Sequence, residues 1–482
     1  MAEAAVGERQ LLKALRWYDG FVVALANPGF LIAALGYTIG SIGALGSMLL
    51  WGISSLIAVL QNWIYAETAL MFPEKSGGIA LYAHEGWRRY FSLLGPIATF
   101  GYWFAWSSVL AIFGVTVGFL VQSQWFPGQT WSVDLAFITL DFPKLVGAGL
   151  VLLVWAFNIF GVRPAVWFGY VTGALLLIPL AIFMFLPYVT GDWTSANVDW
   201  GALGEPGGFR LALVWLYLMG WSAYGVETCA VFAPEYQDTE TATPKALKTS
   251  ALFSLVVYAL LPIGIGGVTG TGIEDPVAFY VPAFEQILGS GFGGVMVFLL
   301  IASLVLSMNT ATMDGSRALY GIAVDDMTVK QLGHLNRFHV PSRAMTVDML
   351  VNLILMFSLT STLSILAAGN LGYMLAHVLA LTGFILLRKD RPDWPRPIRL
   401  GGQWVVVAGI LALLNVLFIA VGAVSFSLTG YGGVKELMIG IGILLVSVLL
   451  FIYRRTVQDR KPITLREATP EVPERADATV PV

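Results

Sequence analysis

Met219-Gly220-Trp221-Ser222-Ala223-Tyr224-Gly225-Val226-Glu227 interrupts an apolar run that begins near Phe209 and ends before Pro234. Two glycines bracket a tryptophan, a serine and a tyrosine, and a carboxylate follows two residues later. Glycine in a helix interior costs about 1 kcal/mol relative to alanine, so the pair lowers the barrier to a local break. In a bilayer, a broken helix leaves N–H and C=O groups that lipid cannot satisfy. The break must then face protein or a water-filled cavity. Glu227 puts an ionisable group at the same depth, where such groups pair or serve a function. The stretch is expected to form one half of a solute site.

Composition places the run in a membrane. The chain has 482 residues, 57% hydrophobic and 12% charged, with a mean hydropathy of +0.76. A soluble domain is about a quarter charged, so the pattern is that of a polytopic membrane protein. The single cysteine, Cys229, excludes an intrachain disulfide and a cysteine-ligated cluster. Of four histidines, His84, His334 and His339 fall in predicted loops, which leaves His377 in a span and no ligand pair for a haem. No cofactor, metal or nucleic-acid partner is expected, and no nucleophile–base pair suggests an enzyme. Met1 to Arg16 lacks the layout of a signal peptide, so the first apolar run is expected to stay as a span.

Stretches of roughly 20 apolar residues number twelve, near 17–40, 43–71, 94–122, 143–161, 164–190, 209–233, 246–269, 291–322, 343–361, 364–387, 403–427 and 434–454. Only Gly40-Ser41-Ile42-Gly43 divides the first two. The segment from Ala278 to Gly289 is too short to span and reads as an external interfacial helix. An even count puts both termini on one side. That side collects 24 of the 27 lysines and arginines, leaving Lys144, Arg210 and Lys435 opposite. The bias makes the termini cytoplasmic in a cell membrane. The tail from Thr456 to Val482 is polar, contains proline and is expected to be disordered.

Span one carries its own interruption, Ala26-Asn27-Pro28-Gly29-Phe30. Proline removes a backbone donor and clashes with the preceding turn, and Gly29 relaxes the chain after it. A simple proline kink is the bland alternative. The pairing with span six favours more, since each is the first of a block of five and the parity of the count opposes the two blocks. Interrupted helices at matching positions of inverted halves point to a transporter site near the midplane. The chain then divides into a cytoplasmic N-terminus (1–16), a first five-helix repeat (17–190), a second (209–387), accessory helices eleven and twelve (403–454) and the tail (455–482).

Four motifs meet a known pattern. Phe72-Pro73-Glu74-Lys75-Ser76-Gly77-Gly78-Ile79-Ala80-Leu81-Tyr82 resembles the first cytoplasmic loop of the amino acid–polyamine–organocation (APC) transporter superfamily. Asn309 followed by Ser316-Arg317-Ala318-Leu319-Tyr320 and Asp325 resembles that family's exit from span eight. Trp221 to Glu227 is similar to its unwound span six, particularly in arginine/agmatine exchangers. Arg391-Pro392-Asp393-Trp394-Pro395-Arg396-Pro397 resembles the loop before span eleven. The resemblance covers Trp17 to about Tyr453.

It implies an all-α integral membrane fold of twelve helices. This is the LeuT-type 5+5 inverted repeat, with helices one and six broken and two accessory helices. It also implies secondary transport of amino acids or amines driven by protons, sodium or exchange. Trp221 then matches a gating aromatic that closes over substrate, and Glu227 a carboxylate that couples substrate movement to protonation. Two departures stand out. Relatives often have a Gly-Ser-Gly-like turn in span one whose amides hold the substrate carboxylate, whereas Pro28 has no N–H to give. Some sodium-independent relatives place a lysine in span five, where this chain has Leu176.

The candidate substrate-binding residues are Ala26, Asn27, Pro28, Gly29, Phe30, Gly220, Trp221, Ser222, Ala223, Tyr224, Gly225, Tyr102 and Trp106, with Glu227 for proton coupling. An ionised carboxylate at Glu227's depth is costly, so a proton or cation is expected to accompany it. Its bland alternative is a hydrogen-bonded support for the broken helix. Trp221 and Tyr224 either hold an organic cation or an apolar substrate, or simply pack. In span three, only Tyr102 or Trp103 shares a face with Trp106. Ser303 and Ser307 read as packing hydroxyls that alternatively complete a sodium site. Glu67 and Asp314, towards the cytoplasmic ends of spans two and eight, are expected to pair with arginines or cap the gate rather than bind substrate, and His377 to be a satisfied core histidine. The function expected is proton-coupled or exchanging amino acid transport by alternating access. An amine or polyamine transporter and a non-transporting solute sensor are the alternatives.

Overall fold

A computed structural model describes residues 10–135, 138–276, 279–358, 362–431 and 433–472. The first helices are α1 (Trp17–Ala24), α2 (Ala26–Met71), α3 (Gly78–Trp87), α4 (Leu94–Ser107) and α5 (Val109–Trp125). Strands β1 (Ser132–Leu135) and β2 (Ile138–Asp141) then pair antiparallel, with Ser132 opposite Asp141. There follow α6 (Phe142–Ile159), α7 (Val162–Thr190), α8 (Gly208–Ala223) and a 3₁₀ segment, Tyr224–Glu235. The remainder is α9 (Thr239–Thr269), α10 (Tyr280–Leu288), α11 (Gly293–Val324), α12 (Ser342–Ser358), α13 (Thr362–Asp390), α14 (Gln403–Gly422) and α15 (Val434–Tyr453). The hairpin is the one departure, among the described residues, from an all-helical expectation.

Nine helical stretches among the described residues are long and apolar enough to cross a bilayer. One of them, Trp17–Met71, has 55 residues. At 1.5 Å per residue it runs to about 80 Å, well over twice a hydrocarbon core. It is folded at Gly43, whose φ of 69° and ψ of 173° lie outside the helix region, a conformation open to glycine alone at no cost. The helices α8 and α12 are shorter, at 16 and 17 residues.

The two interruptions lie near, but not at, the positions expected. Span one is cut at Leu25, between α1 and α2, and Asn27–Gly29 form the first turn of α2 rather than a non-helical turn. Proline explains the shift. At the third position of a helix its missing N–H is one that has no partner within the helix anyway, so Pro28 starts a helix instead of opening one. In span six, Gly220–Ala223 stay α-helical, and the chain tightens to 3₁₀ only from Tyr224. Glycine lowers the cost of leaving a helix without requiring it. The 3₁₀ segment is 12 residues long, where such runs seldom exceed about 3–4.

Small residues let the helices close on one another. The α4–α13 crossing brings Gly101 against Gly372, where an added Cβ on Gly101 would lie 2.7 Å from the Gly372 Cα. Helix α2 packs chiefly on α9, α5 on α6, and α11 on α7 and α4. Outward, the surface is apolar: Leu413 of α14 and Leu449 of α15 are 69% and 64% exposed. Contiguous exposed apolar faces of this kind suit lipid. The tail's described part lies against the protein, with the Ser92 N–H donating to the Leu465 carbonyl and Arg88 pairing with Glu467 at 2.8 Å. Its last residues, and residues 1–9, lie outside the described ones.

Candidate functional site

The end of α1, the start of α2 and the α8–3₁₀ junction meet in the interior. All fourteen candidate residues are buried there. One side chain joins the two interruptions: the Tyr258 hydroxyl of α9 donates to the Asn27 carbonyl at 2.7 Å and lies 2.7 Å from the Ser222 hydroxyl. The carbonyls around the Leu25 cut are satisfied from α11. Ser307 donates to the Ala26 carbonyl at 3.0 Å and Thr310 to the Val23 carbonyl at 2.9 Å. Gly29 makes that approach possible, because a Cβ there would sit 3.0 Å from the Ser303 carbonyl oxygen. Ser303 itself donates to Leu299 within α11. In span five, Leu176 is fully buried, and Gly173 one turn earlier faces Leu25.

Tyr258→Phe should leave the Asn27 carbonyl without its donor at a fully buried site. The expected cost is about 1–3 kcal/mol, read as a lower thermal unfolding midpoint in detergent. An unchanged midpoint would show that the clamp does not hold the junction.

The aromatic residues form a continuous layer. Phe30 lies 5.0 Å from Trp221, 5.4 Å from Trp106 and 5.4 Å from Phe113, ring centre to ring centre. The Trp221 indole N–H donates to the Ala105 carbonyl at 3.3 Å. A cavity of ≈ 90 Å³ is lined by Trp221, Phe113, Met219 and Ser222, with Ile32–Ala34 of α2 and Leu300 and Leu304 of α11. Tyr224 does not share it: its hydroxyl donates to Asn415 of α14 at 3.0 Å and its ring meets His377 edge-on. Ala223 is likewise packed away, and Gly220 faces the Met374 sulfur.

Beside the layer lies a buried polar cluster. Gly225 has only hydrogen where a Cβ would crowd the Asn27 side-chain oxygen and Trp106, and the Asn27 amide has no protein partner. Glu227 Oε1 accepts from Tyr373 at 2.7 Å and from the Trp106 indole at 3.3 Å, while Oε2 has no partner. Trp106 thus touches Phe30 on one side and Glu227 on the other. Tyr102 also faces this cluster, donating to Asp314 at 2.8 Å, whereas Trp103 turns to Asp348.

Expected arginine pairs divide. Glu67 does meet arginines, with Arg396 at 3.2 Å and with Arg388. Asp314 does not: its Oδ1 accepts from Tyr102 and from Thr228, each at 2.8 Å. The reason is that Arg317, one turn along α11, is taken by Glu235 in a fully buried pair. His377 is half satisfied, with Nδ1 2.9 Å from the Tyr65 hydroxyl and Nε2 without a protein partner. Sequence reasoning missed Tyr258, Tyr373 and Thr228. Tyr373 and His377, spaced i, i+4 in an apolar span, were the available signal.

At one end of the bundle, Lys75 lies 2.8 Å from both Glu85 and Asp325, and Arg391 lies 2.7 Å from Glu85. Burial opposes ionisation of Glu85, yet Lys75, His84, Arg391 and Arg88 outweigh it and hold its carboxyl well below the usual carboxylate range. His84, Glu85 and Asp325 come close enough to hold an ion, but the Lys75 ammonium already bridges the two acids.

Residues 21–449 match the family model described as amino acid permease. The chain belongs to the amino acid permease family. It is 26% identical over 416 residues to the amino-acid permease RocE of Bacillus subtilis, covering 82% of this chain and 83% of that one. To the lysine-specific permease LysP of Escherichia coli it is 23% identical over 472 residues, covering 92% and 93%. To the D-serine/D-alanine/glycine transporter of Escherichia coli it is 22% identical over 386 residues, covering 73% and 78%. These relatives are permeases and transporters rather than enzymes. This permease is a mostly helical, multi-pass membrane protein of amino acid transport.

Proposed function

We propose that the permease carries an amino acid across the cell membrane by alternating access, with protons as the coupling ion. The observation that carries the reading is the meeting of the two interruptions. Tyr258 ties Asn27 to Ser222, and beside that tie stand an unpartnered Asn27 amide and the wholly buried Glu227. Half-helix ends at such a junction attract a substrate's charged groups through their dipoles.

The kink at Gly43 divides the longest apolar stretch in two, and the short α8 and α12 add two spans, which supports twelve in all. The 5+5 inverted repeat, the division at 17–190 and 209–387, and the accessory pair at 403–454 go with that count. The lysine and arginine bias supports cytoplasmic termini. On that orientation the cavity lies toward the outer ends of spans one and three, with Tyr37 and Leu120 in its lining, and the Trp221–Phe30–Trp106 layer leads from it to Glu227. Ala26–Phe30, Gly220–Gly225, Tyr102 and Trp106 surround the substrate. Within that set Gly220, Ala223 and Tyr224 serve as packing, Tyr224 against α14, and Trp221 and Ser222 line the cavity. Because Ser307 and Thr310 already donate to the span-one carbonyls, a proton fits as coupling ion better than sodium.

A second reading, transport of a cationic amino acid or an amine, is favoured by one observation. Glu227 and Asp314 have no lysine or arginine partner among the described residues. The name of the lysine-specific relative fits this reading. Uptake of radiolabelled lysine, arginine, alanine and glycine into proteoliposomes tests both readings. Uptake of alanine or glycine alone excludes the cationic one, and binding without uptake leaves a sensor.

Trp221→Leu should weaken occlusion. The expected loss is about tenfold in apparent affinity, some 1.4 kcal/mol, with helical content by circular dichroism unchanged. Unchanged affinity and transport would remove Trp221 from the gate.

A further inference from the structure

Asp314 has no role in the reading above, yet its surroundings repeat those of Glu227. Both carboxylates are wholly buried. Each presents one oxygen to two neutral donors, Tyr102 and Thr228 for Asp314, Tyr373 and Trp106 for Glu227. Each keeps a second oxygen, Asp314 Oδ2 or Glu227 Oε2, that meets no protein donor. Thr228 follows Glu227 directly, so the 3₁₀ segment that bears one acid also holds the other. Tyr102 and Tyr373, donors to opposite acids, lie 6.0 Å apart ring to ring. Independently, the buried Asn27 amide is left without a partner next to Gly225, two residues before Glu227.

The charges around Asp314 do not neutralise it. On its own helix, Arg317 is engaged by Glu235. Helix α12 presents Asp348, itself an acid held by the Trp103 indole. From α13 come Tyr373 and His377, the latter bonded to Tyr65 of α2. The 3₁₀ segment adds Cys229, which donates to the Gly20 carbonyl. Helix α4 contributes Tyr102. Ionising both carboxylates in such a setting is costly.

We propose that Asp314 is a second proton-carrying carboxylate of the permease, paired with Glu227 through Thr228 and the Tyr102–Tyr373 contact. The proposal rests on the proton-coupled reading above. Two acids that sense one another release their protons in macroscopic steps that belong to the pair. Any movement of the 3₁₀ segment withdraws the Thr228 hydroxyl from Asp314 and Glu227 from Trp106 together. Loading of the two sites is thereby tied to one rearrangement.

Infrared difference spectra of the full chain in liposomes, between acid and alkaline buffer, read the carbonyl stretch of protonated carboxyls. Asp314→Asn should remove one buried band and shift the band that Glu227→Gln removes. Thr228→Val keeps the acid but withdraws a donor, and should move the Asp314 band most and, through the pairing, the Glu227 band less. Asp348→Asn identifies the band of Asp348, a further buried acid held by a neutral donor. The proposal is overturned if Asp314→Asn leaves every titrating band in place, or if sodium chloride at constant pH displaces the bands as alkali does. Should Asp314→Asn not fold, an unmoved spectrum in Thr228→Val overturns it. The readout needs no transported solute, so a failed uptake panel counts against the transport reading and leaves this one to be decided separately.

Discussion

Glu227→Gln is expected to flatten the pH dependence of uptake and to lower its best rate about tenfold or more, since about 1.4 kcal/mol in the balance of states is a factor of ten. Glutamine keeps the length and shape of the side chain. Its carbonyl oxygen can still accept from Tyr373 and Trp106, which now donate to Oε1. What it removes is the ability to gain and lose a charge. The surroundings make that ability costly to leave unused, because no lysine or arginine among the described residues pairs with the carboxylate. Uptake measured from acid to alkaline pH in proteoliposomes checks it. Retention of the wild-type profile at full rate would leave Glu227 a hydrogen-bonded support for the 3₁₀ segment and nothing more.

Arg317→Ala is expected to cost stability on a larger scale, about 3–5 kcal/mol, the range for breaking a buried pair by removing one partner. Arg317 is fully buried, forks onto both oxygens of Glu235, and donates through Nη1 to the Met313 carbonyl at 2.9 Å. Its guanidinium also lies over the Phe232 ring at 4.7 Å. Alanine strands the Glu235 carboxylate at a buried site. The thermal unfolding midpoint in detergent should fall sharply. Arg317→Met with Glu235→Leu should recover much of the loss, because the stranded charge goes with its partner. A single variant as stable as the wild type would show that the pair contributes nothing to holding α11 against the end of the 3₁₀ segment.

The membrane class was legible because it depends on composition alone. With 12% of residues charged, the chain cannot cover a soluble surface. The family was legible because the Phe72–Tyr82, Trp221–Glu227, Ser316–Asp325 and Arg391–Pro397 motifs stand in order, and a family match over 21–449 agrees. Glycine and proline carried local information of mixed quality. At Gly43 the cut between two spans coincides with a φ of 69°, a backbone state that glycine alone enters freely. At Pro28 and Gly220 the same reasoning misplaced the break. A proline that cannot donate is equally suited to the first turn of a helix, and a glycine that permits a break does not compel one.

The partners of the buried acids were settled only by the fold. Sequence spacing relates residues one or two turns apart on a single helix, so it puts Asp314 near Arg317 and suggests a pair. Packing instead delivers Glu235 from the 3₁₀ segment to Arg317, and Tyr102 and Thr228 from two other elements to Asp314. Tyr258 is the same case: an isolated tyrosine in an apolar run until α9 is laid against α2 and α8. Periodicity and composition determine which face of a helix avoids water or lipid. Which polar group meets which across helices far apart in the chain is decided by close packing, where a Gly101–Gly372 contact sets how near two helices can come.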